Sequence, residues 1–419
     1  MCQTRVRTVT RPDAQALDGK ERTILATPAG FSGLQGKALG LRKEDYPTKG
    51  EVMAVIPKHC LERSTPRSLL YLVFSTCILF GLGFLANQFV PLTLAFAPVW
   101  LAYAAANGTV AFGFWVVGHE CGHGAFSDNK VLQDAVGFAV HSFCLTPYFS
   151  WQRSHAVHHS RVNHMHEGET HVPNPTEDGF AKAMHFIKEL PVVGDLFHDL
   201  LALALVSGGF VFYLTFGASG GPAWGKPTNH FFAHGPLKSK LFPGKWKNKV
   251  LVSALGVLAM LALLAYCCNA TSFWRVAAVY GGPYLGLNAW LGIVTKLHHT
   301  DVDVPHLEGE EWNWVRGAFL TIDRPYYKIV DVLQHHIGST HVAHHLCPQI
   351  PHYHAQEATE SIKRAFPHLY LFDPTPVHWA LWRICSNCVS VQKLNNMWVY
   401  TNTRTKHQQQ QQGSTKKAN

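Results

Sequence analysis

The stretch FGFWVVGHECGHGAFSDN, residues 112–129, joins an uncharged apolar run to two histidines four residues apart. On a helix, His119 and His123 lie one turn apart on the same face. Taken alone, HECGH also matches H-E-x-x-H, in which two histidines bind zinc and the glutamate acts as base in a metalloprotease. The stretch therefore indicates a metal site at the end of an apolar helix and leaves open which metal it serves.

The composition indicates an integral membrane protein. Hydrophobic residues make up 47% of the 419 residues and charged residues only 15%, against about 25% charged in a typical soluble domain. The net charge of +9 comes from basic residues spread over loops and both termini. This distribution is typical of cytosolic loops that face anionic lipid, and it argues against nucleic acid as a partner.

Four uncharged segments are long enough to cross a bilayer, which takes about 20 apolar residues. They form two predicted hairpins and span residues 68–90, 91–118, 250–270 and 276–295. Residues 200–217 are apolar but shorter. We expect them to dip into the membrane without crossing, because the lysine-rich loop 226–249 should be cytosolic, like the basic N-terminus. Residues 131–151 are interrupted by polar side chains and predict an interfacial segment.

The chain has 27 histidines, and their clustering indicates metal binding. SHAVHHS and THVAHHL each place three histidines at positions i, i+3 and i+4, on one face of a helix. Buried imidazoles need partners for their nitrogens, so three such motifs at one membrane face indicate ligands rather than core residues. With HECGH, the eight motif histidines are His119, His123, His155, His158, His159, His341, His344 and His345.

The number of histidines narrows the kind of metal site. A catalytic zinc takes three protein ligands and keeps one position open, which would leave most of the eight without a role. Eight suit two metal ions with about four ligands each, although imidazole does not discriminate between zinc, copper, iron and nickel. His299, at the end of the last predicted crossing, is a ninth candidate ligand, and His335 is a further one. Only one residue of each adjacent pair, 298–299 and 335–336, is expected to face the site.

The predicted architecture is an all-α integral membrane protein. Four transmembrane helices in two hairpins, with interfacial helices, carry a cytosolic cap that holds the di-metal site. Three regions are expected, a cytosolic N-terminal region (1–60), a membrane domain (61–390) and a disordered C-terminal tail (391–419). Both termini and all histidine motifs are expected on the cytosolic side. Lys416 and Lys417 resemble the retrieval signal of endoplasmic-reticulum membrane proteins.

The motifs and their surroundings resemble the membrane fatty-acyl desaturases, within them the methyl-end acyl-lipid group of delta-12 and omega-3 enzymes. The similarity rests on HECGHGAFSD, HSFCLTPYFSWQRSHAVHH, EWNWVRGAFLTIDR and THVAHHLCPQIPHYHAQEAT. It implies an O₂-dependent oxidoreductase whose histidines hold two non-haem iron ions. Carboxylates should orient the ligand rings, and the candidates are Glu120, Asp128 and Asp323, with Glu169 and Asp301 as further ones.

The resemblance also implies the partners. The substrate is expected to be an acyl lipid, phospholipid-linked or other, and two electrons come from a separate carrier. That carrier is cytochrome b5 with its NADH reductase in an endoplasmic-reticulum enzyme, or ferredoxin in the alternative plastid membrane. The acyl chain is expected in an apolar tunnel. Candidates to line it are Trp115, Phe138, Phe143, Tyr148, Phe149, Trp151 and Tyr284.

The motifs give conflicting indications of where the new double bond lies. Glutamate in HECGH resembles the delta-12 members, whereas CPQIPHYH and HHIGSTHV are closer to omega-3 enzymes. We expect an omega-3 desaturase, converting for example linoleoyl to linolenoyl chains. The alternatives are a delta-12 (omega-6) oleate desaturase and a related di-iron hydroxylase or acetylenase. A membrane zinc hydrolase and a non-catalytic metal-binding or transport protein are more distant alternatives.

Overall fold

The structure, a computed structural model, describes residue 34 and residues 37–400. Helices dominate it, and the β-structure is confined to short strands. The helices are α1 (Lys49–Val55), α2 (Thr65–Phe89), α3 (Ala97–His123), α4 (Lys130–Phe143), α5 (Tyr148–Ser160), α6 (Gly179–Lys188), α7 (Gly194–Phe216), α8 (Trp246–Ala270), α9 (Phe273–Val276), α10 (Gly282–His299), α11 (Trp314–Phe319), α12 (Lys328–Leu333), α13 (His341–Leu346), α14 (His352–Ala365) and α15 (Val377–Asn387). The strands are β1 (His306–Leu307), β2 (Ile322–Asp323), β3 (Leu371–Phe372), β4 (Val391–Leu394) and β5 (Met397–Tyr400).

Helices α2 and α3 form the first predicted hairpin. Helix α2 begins where the Ser64 hydroxyl accepts a hydrogen bond from the Arg67 N–H, which satisfies one of the free N–H groups of the first turn. Helix α3 ends at Gly124, whose φ of 77° lies in the left-handed region that glycine adopts without steric cost. His123 is therefore the last residue of an otherwise apolar helix.

Within residues 37–400, four helices are long and apolar enough to cross a membrane, namely Thr65–Phe89, Leu94–His123, Gly194–Phe216 and Trp246–Ala270. The number of spans agrees with the prediction, but α7 stands in place of the predicted segment 276–295. That segment lies in α9, a π-helical turn (Ala277–Gly281) and α10, which follow one another without a break.

The contacts of α7 nevertheless support the expectation that it does not cross. Near its start, Asp199 accepts a 2.5 Å hydrogen bond from the Ser386 hydroxyl of α15. Near its end, the Tyr213 hydroxyl donates to Glu169 at 2.8 Å and also contacts Ser154 of SHAVHHS. The start of α7 is thus joined to α15 and its end to SHAVHHS, which suits a helix that dips without crossing, although its length and hydropathy also suit a span.

Helices α3 and α10 approach closely through two glycines. A Cβ added at Gly108 would lie 2.7 Å from the Gly286 Cα, and one added at Gly286 would lie 2.9 Å from the Gly108 Cα. Of the most apolar part of each span, 67% is buried for the α3 segment and 17% for α2. Helix α3 is therefore the central helix, and its contact with α10 sets the relative positions of His119 and His299.

The polar segments after α10 form a cap of short helices and strands. Strands β1, β5 and β4 make an antiparallel sheet, and β2 pairs in parallel with β3. A buried ionic network lies beneath them, in which Arg324 and Arg383 both pair with Asp301 and Asp373. Because removing one partner of such a network leaves a buried charge unpaired, at a cost of about 3–5 kcal/mol, the network fixes the chain just after α10 to β3 and α15.

The start of the predicted disordered tail needs correction. Residues 391–400 form the hairpin β4–β5 instead of the start of a disordered tail, because β5 pairs with β1 and the Val391 N–H donates to the Asn174 carbonyl. Helix α1, in the predicted N-terminal region, shares a buried core with α13 and α14. Residues 401–419, with the polyglutamine run and the two C-terminal lysines, lie outside the described residues, as do residues 1–33, 35 and 36.

Candidate metal centre

The two histidines of HECGH lie in the last turn of α3. His119 is buried and His123 partly so, and their Nε2 atoms lie 3.2 Å apart. The i, i+4 spacing places both rings on one face, and the Trp151 ring packs 5.5 Å from that of His119. The last turn of α3 therefore presents two imidazole nitrogens at one point.

SHAVHHS forms the second half of α5 and divides its histidines between two directions. The Nε2 atoms of His155 and His159 are 3.1 Å apart, and these rings lie 4.8 Å and 4.5 Å from the ring of His123. His158 points elsewhere, with its ring 4.7 Å from that of His299. One helix thus contributes ligand candidates to two sites.

The last six residues of THVAHHL form the helix α13, whose histidines are also divided between two directions. The His344 ring lies 4.7 Å from that of His119, whereas the His345 ring lies 4.6 Å from that of His299. His341 contacts the latter side, with its Nε2 atom 3.2 Å from the His299 Nε2. Adjacent residues of α13 therefore point in different directions, His344 toward His119 and His345 toward His299.

Two groups of ligand atoms result, each with all its atoms within 4.8 Å of one another. Group I contains His119, His123, His155, His159 and His344. Group II contains His158, His299 and His345, and we count His341 with it because of its contact with His299. The groups adjoin where the rings of His159 and His345 stack at 4.1 Å. The structure thus brings together the eight motif histidines and His299.

The electrostatics of the groups suit metal ligation. Burial lowers the pKa of His158 to about 3 and holds the pKa values of His344 and His345 well below the ordinary range, so the rings are neutral, which is the form that binds a metal. Among the described residues, both ring nitrogens of His345 and the Nε2 of His344 lack a hydrogen-bond partner. Buried nitrogens are normally paired, and these fit a metal better than a hydrogen-bonded core.

Several rings are held through the nitrogen that does not face the group. The His119 Nδ1 contacts the Glu120 carboxylate at 3.3 Å, the His158 Nδ1 bonds the Thr170 hydroxyl at 2.8 Å, and the His341 Nδ1 donates to the Ile337 carbonyl at 3.3 Å. Partners of this kind set the tautomer and orientation of metal-binding histidines. In each case the Nε2 is left for the group.

Two of the three predicted orienting carboxylates lie beside the groups. Glu120 also accepts the backbone N–H of His352 at 2.9 Å, which ties the end of α3 to the start of α14. Asp323 accepts the backbone N–H of Val342 at 2.8 Å and the Tyr370 hydroxyl at 2.7 Å, and burial raises its pKa to about 7. Asp323 thus holds α13 in place through the backbone.

The prediction for the third carboxylate, Asp128, is wrong. Its side chain is 77% exposed and pairs with Arg63 at 2.8 Å, because α3 ends at Gly124 and the chain turns toward the surface before α4. His335 likewise lies outside both groups. Its Nε2 bonds the Ser75 hydroxyl at 3.0 Å, and its ring packs 4.7 Å from that of His352. The left-handed φ of 54° at His335 lies between α12 and α13, so no continuous helix carries its ring onto the face of the third motif.

The two further carboxylates are paired with other side chains. Glu169 receives the Tyr213 hydroxyl, and burial raises its pKa to about 8, whereas Asp301 belongs to the ionic network with Arg324 and Arg383. Thr170 was missed by sequence reasoning. It lies in an irregular loop, and a single threonine between Glu169 and His171 carries no periodic signal.

The aromatic side chains predicted for the tunnel pack in sets of rings between group I and the apolar helices. Trp115 and Trp151 lie 4.9 Å apart next to His119 and share a hydrophobic cluster with Phe143 at the end of α4. The Phe143 ring lies 5.7 Å from that of Tyr280, which lies 6.0 Å from that of Tyr284 on α10. Tyr148, Phe138 and Phe149 pack in a second set between α4 and α5. Aromatic rings therefore pack against His119 and continue into the apolar core of the bundle.

Comparisons with known proteins agree with this geometry. The family described as "Fatty acid desaturase" matches residues 95–375. The Delta(12) fatty acid desaturase FAD2 of Calendula officinalis is 38% identical over 83% of this chain and 88% of its own length. The Oleoyl-12-hydroxylase FAH12 of Ricinus communis is 36% identical over 82% and 87%. The "Omega-6 fatty acid desaturase, endoplasmic reticulum" of Brassica juncea is 36% identical over 82% and 88%.

The matched region contains every histidine of groups I and II, and the relatives match this chain over most of their length. The zinc-hydrolase and transport alternatives are thereby set aside. The chain belongs to the fatty acid desaturase family of membrane oxidoreductases.

Proposed function

We propose that this enzyme is a delta-12 acyl-lipid desaturase, which inserts a cis double bond toward the methyl end of an oleoyl chain. The observation that carries the proposal is the similarity, over more than four fifths of the chain, to proteins named delta-12 and omega-6 desaturases. These relatives favour the delta-12 alternative over the omega-3 reaction expected from the flanking motifs. CPQIPHYH is an individual local match and weighs less than similarity over about 350 residues.

Groups I and II are proposed to hold two iron ions, one in each. The adjoining groups, the neutral rings and the unpaired nitrogens of His344 and His345 support this assignment. With O₂, bound iron would supply the oxidising power that removes one hydrogen from each of two neighbouring methylenes. The overall balance is one O₂, two electrons, two protons and those two hydrogens, which together leave as two waters.

The chain's own residues would position the substrate and keep water out. Thr170, Glu120 and the Ile337 carbonyl hold the ring orientations, and Asp323 holds α13 against the end of α10 through Val342. The aromatic side chains from Trp151 to Tyr284 are proposed as one wall of the acyl tunnel, because Trp151 packs on His119 and shares a hydrophobic cluster with Phe143, from which ring contacts continue to Tyr284. A dry apolar wall favours an acyl chain over water.

We propose that the enzyme lies in the endoplasmic-reticulum membrane with its cap and both termini in the cytosol. The relative named for that compartment and the lysine-rich loop before α8 support this placement. Cytochrome b5 with its NADH reductase would then deliver the two electrons to the cap, and ferredoxin would do so only in the plastid alternative.

A hydroxylase is a second candidate function, because the castor relative named Oleoyl-12-hydroxylase is almost as similar as the desaturases. The same groups and the same substrate would serve both reactions, so the outcome depends on how the acyl chain sits and not on the ligand set.

Expression in yeast followed by gas chromatography of total lipids tests the proposal. With oleate as the endogenous substrate, we expect a new linoleate peak, whereas a 12-hydroxy acid would identify the hydroxylase. Conversion of fed linoleate to linolenate, without linoleate formation from oleate, would restore the omega-3 assignment. His158→Ala should give no product, and His368→Ala, at an exposed position outside both groups, is the matched control. Product from His158→Ala would contradict the proposed metal centre.

A further inference from the structure

A third cluster of metal-ligating side chains lies apart from groups I and II, where the chain enters α2. Ligand atoms of His59, Cys60, His354 and Glu357 all lie within 4.8 Å of one another. His59 and Cys60 belong to a short 3₁₀ helix, Lys58–Leu61, and the other two lie on α14. Two segments almost 300 residues apart in sequence thus bring four donors of three chemical types to one point.

The donors on α14 are arranged by helix geometry. His354 and Glu357 are three residues apart, so their side chains project from the same face, and the Glu357 carboxylate already contacts the His59 Nε2 at 2.9 Å. The His59 and Glu357 side chains are about half exposed, at 51% and 52%, whereas Cys60 is fully buried. The cluster therefore has a buried sulfur at its base and an opening toward solvent through which a cation can enter.

We propose that His59, Cys60, His354 and Glu357 form a structural zinc site that clips the segment before α2 to α14. Zinc is bound by Cys, His and carboxylate side chains, and its structural sites take four protein ligands with no open position. Ligand atoms around tetrahedral zinc are separated by roughly 3.3–3.8 Å, as follows from bond lengths near 2.0–2.3 Å. The present separations lie on both sides of that range, from 2.9 Å between the His59 Nε2 and the Glu357 carboxylate up to the 4.8 Å limit of the cluster.

The charges of the cluster balance a divalent cation. Binding would displace the thiol proton of Cys60 to solvent, and the resulting thiolate together with the Glu357 carboxylate would neutralise Zn²⁺, while both imidazoles bind as neutral rings. A thiolate also favours zinc over hard cations such as Mg²⁺ and Ca²⁺. Neither histidine group of the metal centre has sulfur among its ligand atoms, so the two kinds of site differ in donor chemistry.

The clip joins elements that already support the metal centre. The Tyr353 hydroxyl accepts the Ser64 N–H at 2.8 Å, and the next helical residue back, His352, donates its N–H to Glu120. Zinc between residues 59–60 and 354–357 would therefore fix the start of α14, and through it the Glu120 carboxylate that contacts His119.

Metal analysis of the purified full-length enzyme in detergent tests this proposal without reference to activity, so its failure is distinguishable from failure of the proposed function. By plasma mass spectrometry we expect about one zinc per chain in addition to iron. The double variant Cys60→Ala/His354→Ala should lose that zinc and keep its iron, and His368→Ala should keep both. Zinc content equal in the wild type and the double variant would overturn the site.

Zinc X-ray absorption excludes mis-metallation of the histidine groups. The clip predicts one sulfur scatterer at about 2.3 Å, whereas zinc bound by imidazoles alone would overturn the proposal. If the double variant does not fold, Glu357→Gln replaces it. Zinc affinity, measured by competition with a chromophoric chelator, should then fall at least tenfold, and an unchanged affinity would show that His59 and Glu357 form an ordinary surface ion pair.

Discussion

Groups I and II are assembled in different ways. Four of the five histidines of group I come from two long helices, as the i, i+4 pairs 119/123 and 155/159, and only His344 comes from the cap. Group II draws its members from α5, α10 and α13. Helix periodicity thus builds most of group I, whereas tertiary contacts build group II.

The supports of the groups differ accordingly. The Trp151 ring and the Glu120 carboxylate contact His119 of group I, and both residues lie on the helices that carry the group. Group II depends on Thr170 in a loop and on Asp323, which fixes the short helix α13 from β2. Because a six-residue helix is marginal without tertiary support, we expect group II to be the more sensitive of the two to changes in the cap.

The largest effect is expected when the adjacent residues His344 and His345 are replaced one at a time. Each variant, His344→Ala and His345→Ala, removes one ligand candidate from a different group, and each should abolish product because both groups are needed. Iron content per chain should fall by about one in each case. Product and iron are measured by gas chromatography and plasma mass spectrometry, with His368→Ala as control. Retained activity in His345→Ala alone would show that group II is not part of the centre.

The next effect tests the cap directly. Asp323→Ala leaves the Val342 N–H and the Tyr370 hydroxyl buried without an acceptor, at a cost of about 1–3 kcal/mol for each group. Loss of a residue that orients metal ligands typically costs about 10–100-fold in metal affinity or activity. We expect loss of that size in product and in iron. The control is Asp128→Asn on the surface, which should match the wild type, and equal losses in both variants would refute the assigned role.

A smaller effect is expected at Thr170. Thr170→Val keeps the shape of the side chain and removes its hydrogen bond to the His158 Nδ1, so the product should fall about tenfold, the low end for such partners. Thr215→Val is the matched control, because its hydroxyl bonds only the carbonyls of its own helix, at Val211 and Phe212. A Thr170 variant as active as the control would mean that His158 is oriented by packing alone.

The smallest effect on turnover is expected at the contact between α3, which carries His119, and α10, which carries His299. Gly286→Ala places a Cβ 2.9 Å from the Ala104 carbonyl and the Gly108 Cα, and such overpacking costs about 1–3 kcal/mol. Thermal unfolding of the purified enzyme should shift downward, with activity reduced only several-fold below that temperature. Gly208→Ala, where nothing lies within 4 Å of the added carbon, should not lower it. An unchanged unfolding temperature in both would show that α3 and α10 can separate freely.

The sequence predicts well where a periodic pattern ends in a polar motif. The first hairpin, the segment that became α8 and the three histidine motifs all follow from apolar length and from i, i+3, i+4 spacing. Asp128 and His335 fail for one reason. The backbone leaves helical geometry close to each of them, at Gly124 for the first and at His335 itself for the second. Thr170 and the hairpin β4–β5 depend on partners distant in sequence.

By itself, the sequence determines that the protein lies in a membrane and that eight histidines project from helix faces at one end of its apolar segments, because both properties follow from local length and periodicity. Only the tertiary structure decides how those histidines divide between two groups, that His299 joins them, and that Glu120 and Asp323 support them. Those outcomes depend on how α3, α5, α10 and α13 pack, and no local pattern encodes the distances between them.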